Sequence, residues 1–467
     1  MKLYNTLTRQ VEKFVPQKAP AVTVYTCGPT VYDYPHIGNW FTFIRYDLLV
    51  RTLTANGYQP QWVMNITDVG HLVSDGDEGE DKLEKGARRE HKPAWEVAEF
   101  YSSYFINGLN RLNIRQPDKL PKATHHIDEQ IALIKVLEEK GFTYKTSDGI
   151  YFDTAKFPRY GDFAQLDIDE QQAGKRVEFN PEKRNITDFA LWKFSPENSQ
   201  RDMEWPSPWG IGFPGWHIEC SAMSMKYLGQ TLDIHSGGID HIPVHHSNEI
   251  AQSEAATGQQ FAKYWMHTNH IMISGEKISK SLNNQITLED IEAQGYDLET
   301  LRLLVLESHY RTQSTFSWEA MEAAKNRLND YRAMAALRWQ ARPDIRDFGT
   351  FSLEDVPLEI EQIVSADLNT PAALAYLSEV SNQLNSVLLG SYGLDHFITM
   401  LERIDNLLGL KLSQVPDISE AQKQLIAERE TARTHKEWGK SDDLRAQLQQ
   451  QGIGLRDTDQ GPIWHWL

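Results

Sequence analysis

Two stretches far apart in the chain carry side chains suited to polyphosphate chemistry. The first is His36-Ile37-Gly38-Asn39, which follows a β-rich run from Val22 to Thr26 and the turn Cys27-Gly28-Pro29-Thr30. Apolar residues at Ile37, Phe41, Ile44, Leu48, Leu49 and Leu53 recur close to a 3.6-residue period and predict a helix that begins there and stops at Gly57. A helix start leaves backbone N–H groups unpaired and carries partial positive charge, so it attracts phosphate. Gly38 lets a flat base or ribose approach the backbone, and His36 can donate to a phosphate oxygen or to charge developing in a transition state. The second stretch is Lys277-Ile278-Ser279-Lys280-Ser281, continued by Leu282-Asn283-Asn284. Two lysines three apart in a polar loop are point charges that suit a polyphosphate. Taken singly, each stretch also fits a blander role: helix-start and packing residues for the first, an exposed basic loop for the second.

Cys27, Cys220, His245 and Glu249 are candidates for a metal centre. His245 and Glu249 are four apart and project from one face of a helix. Two sulfurs with an imidazole and a carboxylate suit Zn²⁺ and disfavour Mg²⁺ or Ca²⁺. The spacing matches no standard zinc finger, and the same residues also read as two buried thiols and a capping histidine. With only two cysteines in 467 residues a disulfide framework is excluded, although a single Cys27–Cys220 bond stays formally open.

The elements that must position these residues follow from pattern. The apolar run Trp62 to Ile66 completes a βαβ unit with the first strand and helix. An acidic stretch through Asp75, Asp77, Glu78, Glu80 and Asp81 has the wrong spacing for an EF-hand and reads as a solvated, mobile loop. Amphipathic helices are expected from Ala94 to about Glu139, then short strands and turns from Phe142 to about Phe213, which read as a small inserted domain. Leu232 to His235 is a buried-strand candidate, and a helix is expected from about His246 to Ala256. Beyond Ser317 the pattern is almost wholly helical, with breaks at Arg342-Pro343-Asp344 and Val415-Pro416-Asp417 and a final turn into a strand at Gly452-Ile453-Gly454-Leu455.

Composition bounds the function. At 40% hydrophobic residues the chain is ordinary for a globular protein of two to four domains. No run of eighteen apolar residues and no signal-peptide pattern at Met1-Lys2-Leu3 are present, so no membrane association and a cytoplasmic location are expected. A net charge of −18 argues against charge-driven nucleic-acid binding and leaves recognition through local patches and shape.

Together, the histidine and lysine elements resemble the paired signature of class I aminoacyl-tRNA synthetases. The runs Cys27-Gly28-Pro29-Thr30-Val31-Tyr32-Asp33, Gly215-Trp216-His217-Ile218-Glu219-Cys220-Ser221 and His245-His246-Ser247-Asn248-Glu249 narrow the resemblance to the cysteinyl-tRNA synthetase family. The resemblance implies one Zn²⁺ per chain held by Cys27, Cys220, His245 and Glu249; His246 is no part of that set and is expected to be structural. It implies an amino-acid pocket shaped by Thr67, Trp216 and Asp240. ATP, accompanied by Mg²⁺, would meet His36, Gly38, Asn39 and Lys280, with His36, Asn39, Lys277 and Lys280 catalytic. The C-terminal run Arg433, Lys436, Trp438, Asp442, Arg445, Asp457, Gly461 and Trp464 resembles an anticodon-binding domain, with Arg433, Asp442 and Asp457 at positions that read anticodon bases.

The implied fold is α/β: a Rossmann-type parallel-sheet catalytic domain (1–120 and 214–270) interrupted by a small inserted α/β domain (121–213). A lysine-loop and stem-contact region (271–342), a helical bundle (343–414) and a small α+β anticodon-binding domain (415–467) follow. The implied activity is ATP-dependent activation of L-cysteine and its transfer to tRNA(Cys), by a monomer. A tRNA-independent cysteine ligase of the same superfamily is disfavoured by the C-terminal segment, and an inert tRNA-binding paralogue by the intact lysine element. Three departures from the family pattern stand out: Asn39 where histidine is usual, Ile278 where methionine is usual, and about ten residues inserted between Thr67-Asp68 and Asp81-Lys82.

Overall fold

A computed structural model describes residues 1–70, 82–165, 181–196, 201–273, 276–277, 285–341, 352–384, 393–459 and 461–467. The acidic stretch at 75–81, the break at Arg342-Pro343-Asp344 and Lys280 lie outside these residues.

The site is carried by four parallel strands: β1 (Ala21–Thr26), β2 (Gln59–Met64), β3 (Leu232–Gly238) and β4 (Ala262–Thr268), in the spatial order β4-β3-β1-β2. Val22, Val24 and Tyr25 of β1 and Leu232 and Ile234 of β3 are fully buried, as expected for a parallel sheet covered on both faces. Helix α1 (Ile37–Ala55) links β1 to β2; α2 (Trp216–Leu228) leads into β3, and α3 (Ser247–Thr257) joins β3 to β4.

Helix α1 starts on His36, whose backbone N–H donates to Asn39 Oδ1 at 3.0 Å, and ends before Gly57, which takes φ +79°. The periodicity of its apolar residues understates its burial. Arg45, Asp47 and Arg51 are buried as well, because helices pack on the side away from the sheet. Asp47 binds both Arg51 and Arg302 of helix Leu298–Leu306. These arginines reach the carbonyl end of helix Leu394–Leu408: Arg51 donates to the Asp405 and Asn406 oxygens, each at 3.1 Å, and Arg302 to Leu408 O at 2.6 Å. Cations satisfy the last carbonyls of a helix and its negative dipole end.

Between β2 and β3 the chain forms a four-stranded antiparallel sheet of Thr143–Lys145, Gly149–Phe152, Phe189–Phe194 and Gly212–Pro214, with helix Ile127–Glu139 packed on it through Ile134 and Leu137. After β4 come helices Trp318–Ala336, Asp355–Val364, Thr370–Leu384 and Leu394–Leu408. Two further helices, Glu420–Thr434 and Trp438–Gln450, precede a closing hairpin of Ile453–Thr458 and Gly461–Trp466. One apolar core runs from Val22 and Val24 through α1 to Trp464. The short N-terminal hairpin Lys2–Asn5 and Gln10–Lys13 has no counterpart in the sequence reading. Among the described residues, no helix is long and apolar enough to cross a membrane.

Candidate active site and metal centre

Parallel sheets gather functional groups at the carboxyl ends of their strands. Here Cys27 follows β1, Thr67 follows β2, Asp240 follows β3, and the N-terminal turns of α1 and α2 face the same space. The result is a cavity of about 460 Å³ lined by Cys27, His36, Gly38, Asn39, Thr67, Trp216, Cys220, Asp240 and His245. Nine residues singled out from sequence thus meet in one cleft.

Glu249 lies behind this surface, fully buried. The ligand atoms of Cys27, Cys220, His245 and Glu249 all fall within 4.8 Å of one another. His245 sits at the end of a π-helical turn, Ile242–His246, that runs into α3, and its Nε2 is 3.0 Å from Glu249 Oε1. Both cysteines are free thiols. A second set, Cys27, His235, His246 and Glu249, meets the same distance limit and shares two members with the first. His235 Nε2 is 2.9 Å from Glu249 Oε2, and His246 Nε2 is 3.3 Å from Cys27 Sγ. His217 Nδ1 lies 2.9 Å from His245 Nδ1.

Electrostatics divide this cluster by charge. Burial alone would raise the Glu249 carboxyl, but His235 and His245 outweigh it and bring the group down to about 2. Burial would lower His245, yet Glu249 and Cys220 lift it to about 10. The bond to Cys27 holds the Cys220 thiol down at about 7, while burial pushes Cys27 up. Burial drives His246 and His267 well below the ordinary imidazole value, so both are neutral. An anionic carboxylate, a low thiol and an imidazole drawn to negative charge bring soft and borderline donor atoms together in one buried cluster.

The Thr67 side of the cleft is held by a hydrogen-bond chain. Gly28 N–H donates to Asn65 Oδ1 at 2.8 Å, Asn65 Nδ2 to Thr67 Oγ1 at 3.0 Å, and Thr67 Oγ1 to Glu219 Oε2 at 3.0 Å. The Thr67 hydroxyl therefore spends its proton on Glu219 and keeps a lone pair. A Cβ on Gly28 would lie 1.7 Å from the Asn65 carbonyl oxygen, so only glycine permits β1 and β2 to end this close together. The Trp216 ring stands 4.4 Å from that of His245, and Asp240 occupies a tight turn, Ile239–His241.

At the N-terminus of α1, the Asn39 carboxamide oxygen is engaged by the helix cap, which leaves the NH₂ group to donate. Lys277 is placed by its backbone in a short strand, Glu276–Lys277, pairing with Met272 of Ile271–Ile273 beyond the end of β4. The three anticodon candidates are elsewhere. Arg433 Nη1 binds Asp457 Oδ2 at 3.1 Å, buried Arg429 takes both Asp457 oxygens at 2.8 and 2.9 Å, and Asp442 is exposed on helix Trp438–Gln450.

Sequence reasoning missed His217, His235, Glu219, Asn65 and Arg429. Glu219 and His217 lie inside the motif that contains Cys220, and this adjacency was the available signal. A lone histidine on a buried strand, as His235 is, leaves no periodic trace.

Comparison with known proteins adds to this geometry. Residues 13–326 match the family model for the class I (C) tRNA synthetase catalytic domain, residues 361–413 the DALR domain, and residues 415–464 the cysteinyl-tRNA ligase anticodon-binding domain. The chain is 46% identical to cysteine–tRNA ligase 1 of Burkholderia lata over 99% of its own length and 96% of that protein's. It is 41% identical to the cysteine–tRNA ligase of Treponema denticola over the whole of both chains. Among solved structures, methionyl-tRNA synthetase of Mycobacterium tuberculosis, in complex with methionyl-adenylate, shares the fold with a TM-score of 0.59 at 13% identity, covering 85% of this chain and 93% of that one.

Proposed function

Because the chain belongs to the class I tRNA synthetases and, within them, to the cysteine–tRNA ligases, we propose that it activates L-cysteine with ATP and charges tRNA(Cys). In the first step a carboxylate oxygen of cysteine attacks the α-phosphorus of ATP, and the bond to the β-phosphate breaks. Cysteinyl-adenylate forms and pyrophosphate leaves. In the second step a hydroxyl of the 3′-terminal adenosine attacks the activated carbonyl, and AMP departs. The observation that supports this reading most is the convergence of four soft and borderline ligand atoms at the floor of the cleft onto which the α1 N-terminus opens.

Cys27, Cys220, His245 and Glu249 would hold one Zn²⁺ per chain, a fit that rests on their donor chemistry and on the buried anionic carboxylate. Bound there, zinc would take the substrate sulfur as thiolate, an interaction that serine's hydroxyl cannot match. Asp240 and the Thr67 lone pair would receive the ammonium group, and Trp216 would close the pocket beside His245. His36, Gly38, Asn39 and the α1 N-terminus would bind the ATP phosphates, with Mg²⁺ carried on the nucleotide. Lys277 and Lys280 would stabilise charge on the α-phosphate and the leaving pyrophosphate. Positioning and electrostatics then supply the rate, with no covalent enzyme intermediate.

In this reading the catalytic domain comprises 1–120 and 214–270 around the insert 121–213, followed by 271–342, 343–414 and an anticodon-binding unit at 415–467. Arg433, Asp442 and Asp457 would face the anticodon. The enzyme would act as a cytoplasmic monomer. Pyrophosphate exchange measured with cysteine and serine side by side, followed by charging of tRNA(Cys), tests the proposal. Exchange with cysteine alone, together with charging, is expected; equal exchange with serine overturns the sulfur-based selection, and exchange without charging overturns the tRNA step.

A further inference from the structure

We propose that Thr6, His267 and His246 form a buried positioning relay that holds the Cys27 sulfur as a hydrogen-bond acceptor at the metal centre. This rests on the metal reading above. The relay is continuous: Thr6 Oγ1 lies 2.7 Å from His267 Nδ1, His267 Nε2 lies 2.7 Å from His246 Nδ1, and His246 Nε2 lies 3.3 Å from Cys27 Sγ. None of the four is more than 7% exposed, so water does not substitute for a missing link.

Proton counting gives the relay one direction. A metal-bound thiolate only accepts, so His246 Nε2 carries the proton. With one proton on each ring, as the relay requires, His246 Nδ1 accepts and His267 Nε2 is its donor. His267 Nδ1 must then accept, and Thr6 supplies the only O–H in the chain of contacts. The thiolate end thus sets a single tautomer for each ring, and Thr6 completes it by donating its hydroxyl proton to His267 Nδ1. The relay goes with the first of the two overlapping ligand sets. One ion cannot use both, and His246 is engaged along the relay as a donor to Cys27 rather than as a ligand.

Thr6 is fixed for this task by the N-terminal hairpin, where its backbone N–H donates to Trp265 O of β4 at 2.9 Å. It precedes the segment 13–326 that matches the catalytic-domain family model. Outer partners of metal ligands set ligand orientation and basicity, and their loss typically costs about 10–100-fold in metal affinity.

The full-length chain, Thr6→Val and Thr6→Ser are stripped with a chelator, titrated with Zn²⁺ against a chromophoric competitor, and loaded with Co²⁺ to read thiolate-to-metal absorption. Thr6→Val keeps the shape and removes the hydroxyl. It is expected to lower Zn²⁺ affinity by about tenfold, the low end for an outer partner, and to shift the Co²⁺ band. Thr6→Ser is expected to restore both. Unchanged affinity and spectrum in Thr6→Val overturn the relay, as does a serine variant that behaves like the valine one. Should Thr6→Val fail to fold, ¹⁵N spectra of the unmodified zinc-loaded protein decide. Protons on Nε2 of both His246 and His267 are required, and an Nδ1 proton on either ring overturns the relay. An unmodified chain that takes up no zinc removes the metal reading itself, an outcome distinct from any of these.

Discussion

Asp47 and Arg302, 255 positions apart, form an ion pair in which neither side chain has any solvent exposure. Burial would raise the Asp47 carboxyl, but Arg302 and Arg51 hold it below its ordinary 3.8. Burial also lowers Arg302, although a guanidinium stays charged throughout the range in which folding is measured. A depressed carboxyl contributes stability above its unfolded value and loses it as the pH falls through the folded one. Acid unfolding should therefore have a component below pH 3.8 that Asp47→Asn abolishes. At neutral pH the same substitution leaves buried guanidinium charge uncompensated and should cost about 3–5 kcal/mol, read from denaturant midpoints. An Asp47→Asn protein with an unchanged midpoint would show that the pair is energetically silent.

Asn39 has two separable duties. Asp at this position keeps an oxygen to accept the His36 N–H but replaces the NH₂ donors with negative charge. Asn39→Asp should retain thermal stability and slow pyrophosphate exchange by at least about tenfold, in line with loss of a donor to developing charge. Asn39→Ala should also lose the cap, at about 0.5–2 kcal/mol. Equal stability and equal exchange in both variants would contradict the phosphate role.

Cys220→Ser removes one sulfur from the donor set. Bound zinc per chain and cysteine-dependent exchange should fall together, by more than the roughly 10–100-fold expected for an outer partner. Zinc retained at one equivalent with exchange lost would assign Cys220 to the substrate rather than to the metal.

Asp442 and Asp457 should part company. Asp442 is exposed, so Asp442→Ala should weaken tRNA charging and spare exchange and folding. Asp457 holds buried Arg429 through both oxygens, so Asp457→Ala should also lower the melting temperature. An equal loss of charging and exchange in Asp442→Ala would refute the anticodon assignment.

The parallel sheet, the short strands between Phe142 and Phe213 and the helical C-terminal half were legible because their signals are periodic and repeated, whereas the antiparallel pairing of those short strands was not. Helix α1 shows the limit of that method. Its apolar stripe predicts one wet face, yet Arg45, Asp47 and Arg51 are buried, because Arg45 meets Ser308 and Ser314, Asp47 meets Arg302, and Arg51 meets the Asp405 and Asn406 carbonyls, where no local pattern reaches. Four-residue strands such as Lys2–Asn5 are too short to alternate visibly, so Thr6 and its neighbours went unread. The cysteines drew attention by rarity and motif. His235 and His217 drew no role and His246 only a structural one, because an isolated imidazole acquires meaning only from what stands opposite it in space.

The contact of Gly28 with the Asn65 carbonyl acts as a fixed gauge. Main chain, not side chain, sets how far the end of β1 stands from the end of β2, and no rotamer change can widen that gap. On the proposed reading, homocysteine, with one more methylene between sulfur and ammonium, must release one end to seat the other. The same reading would have homocysteine rejected by length and serine by element.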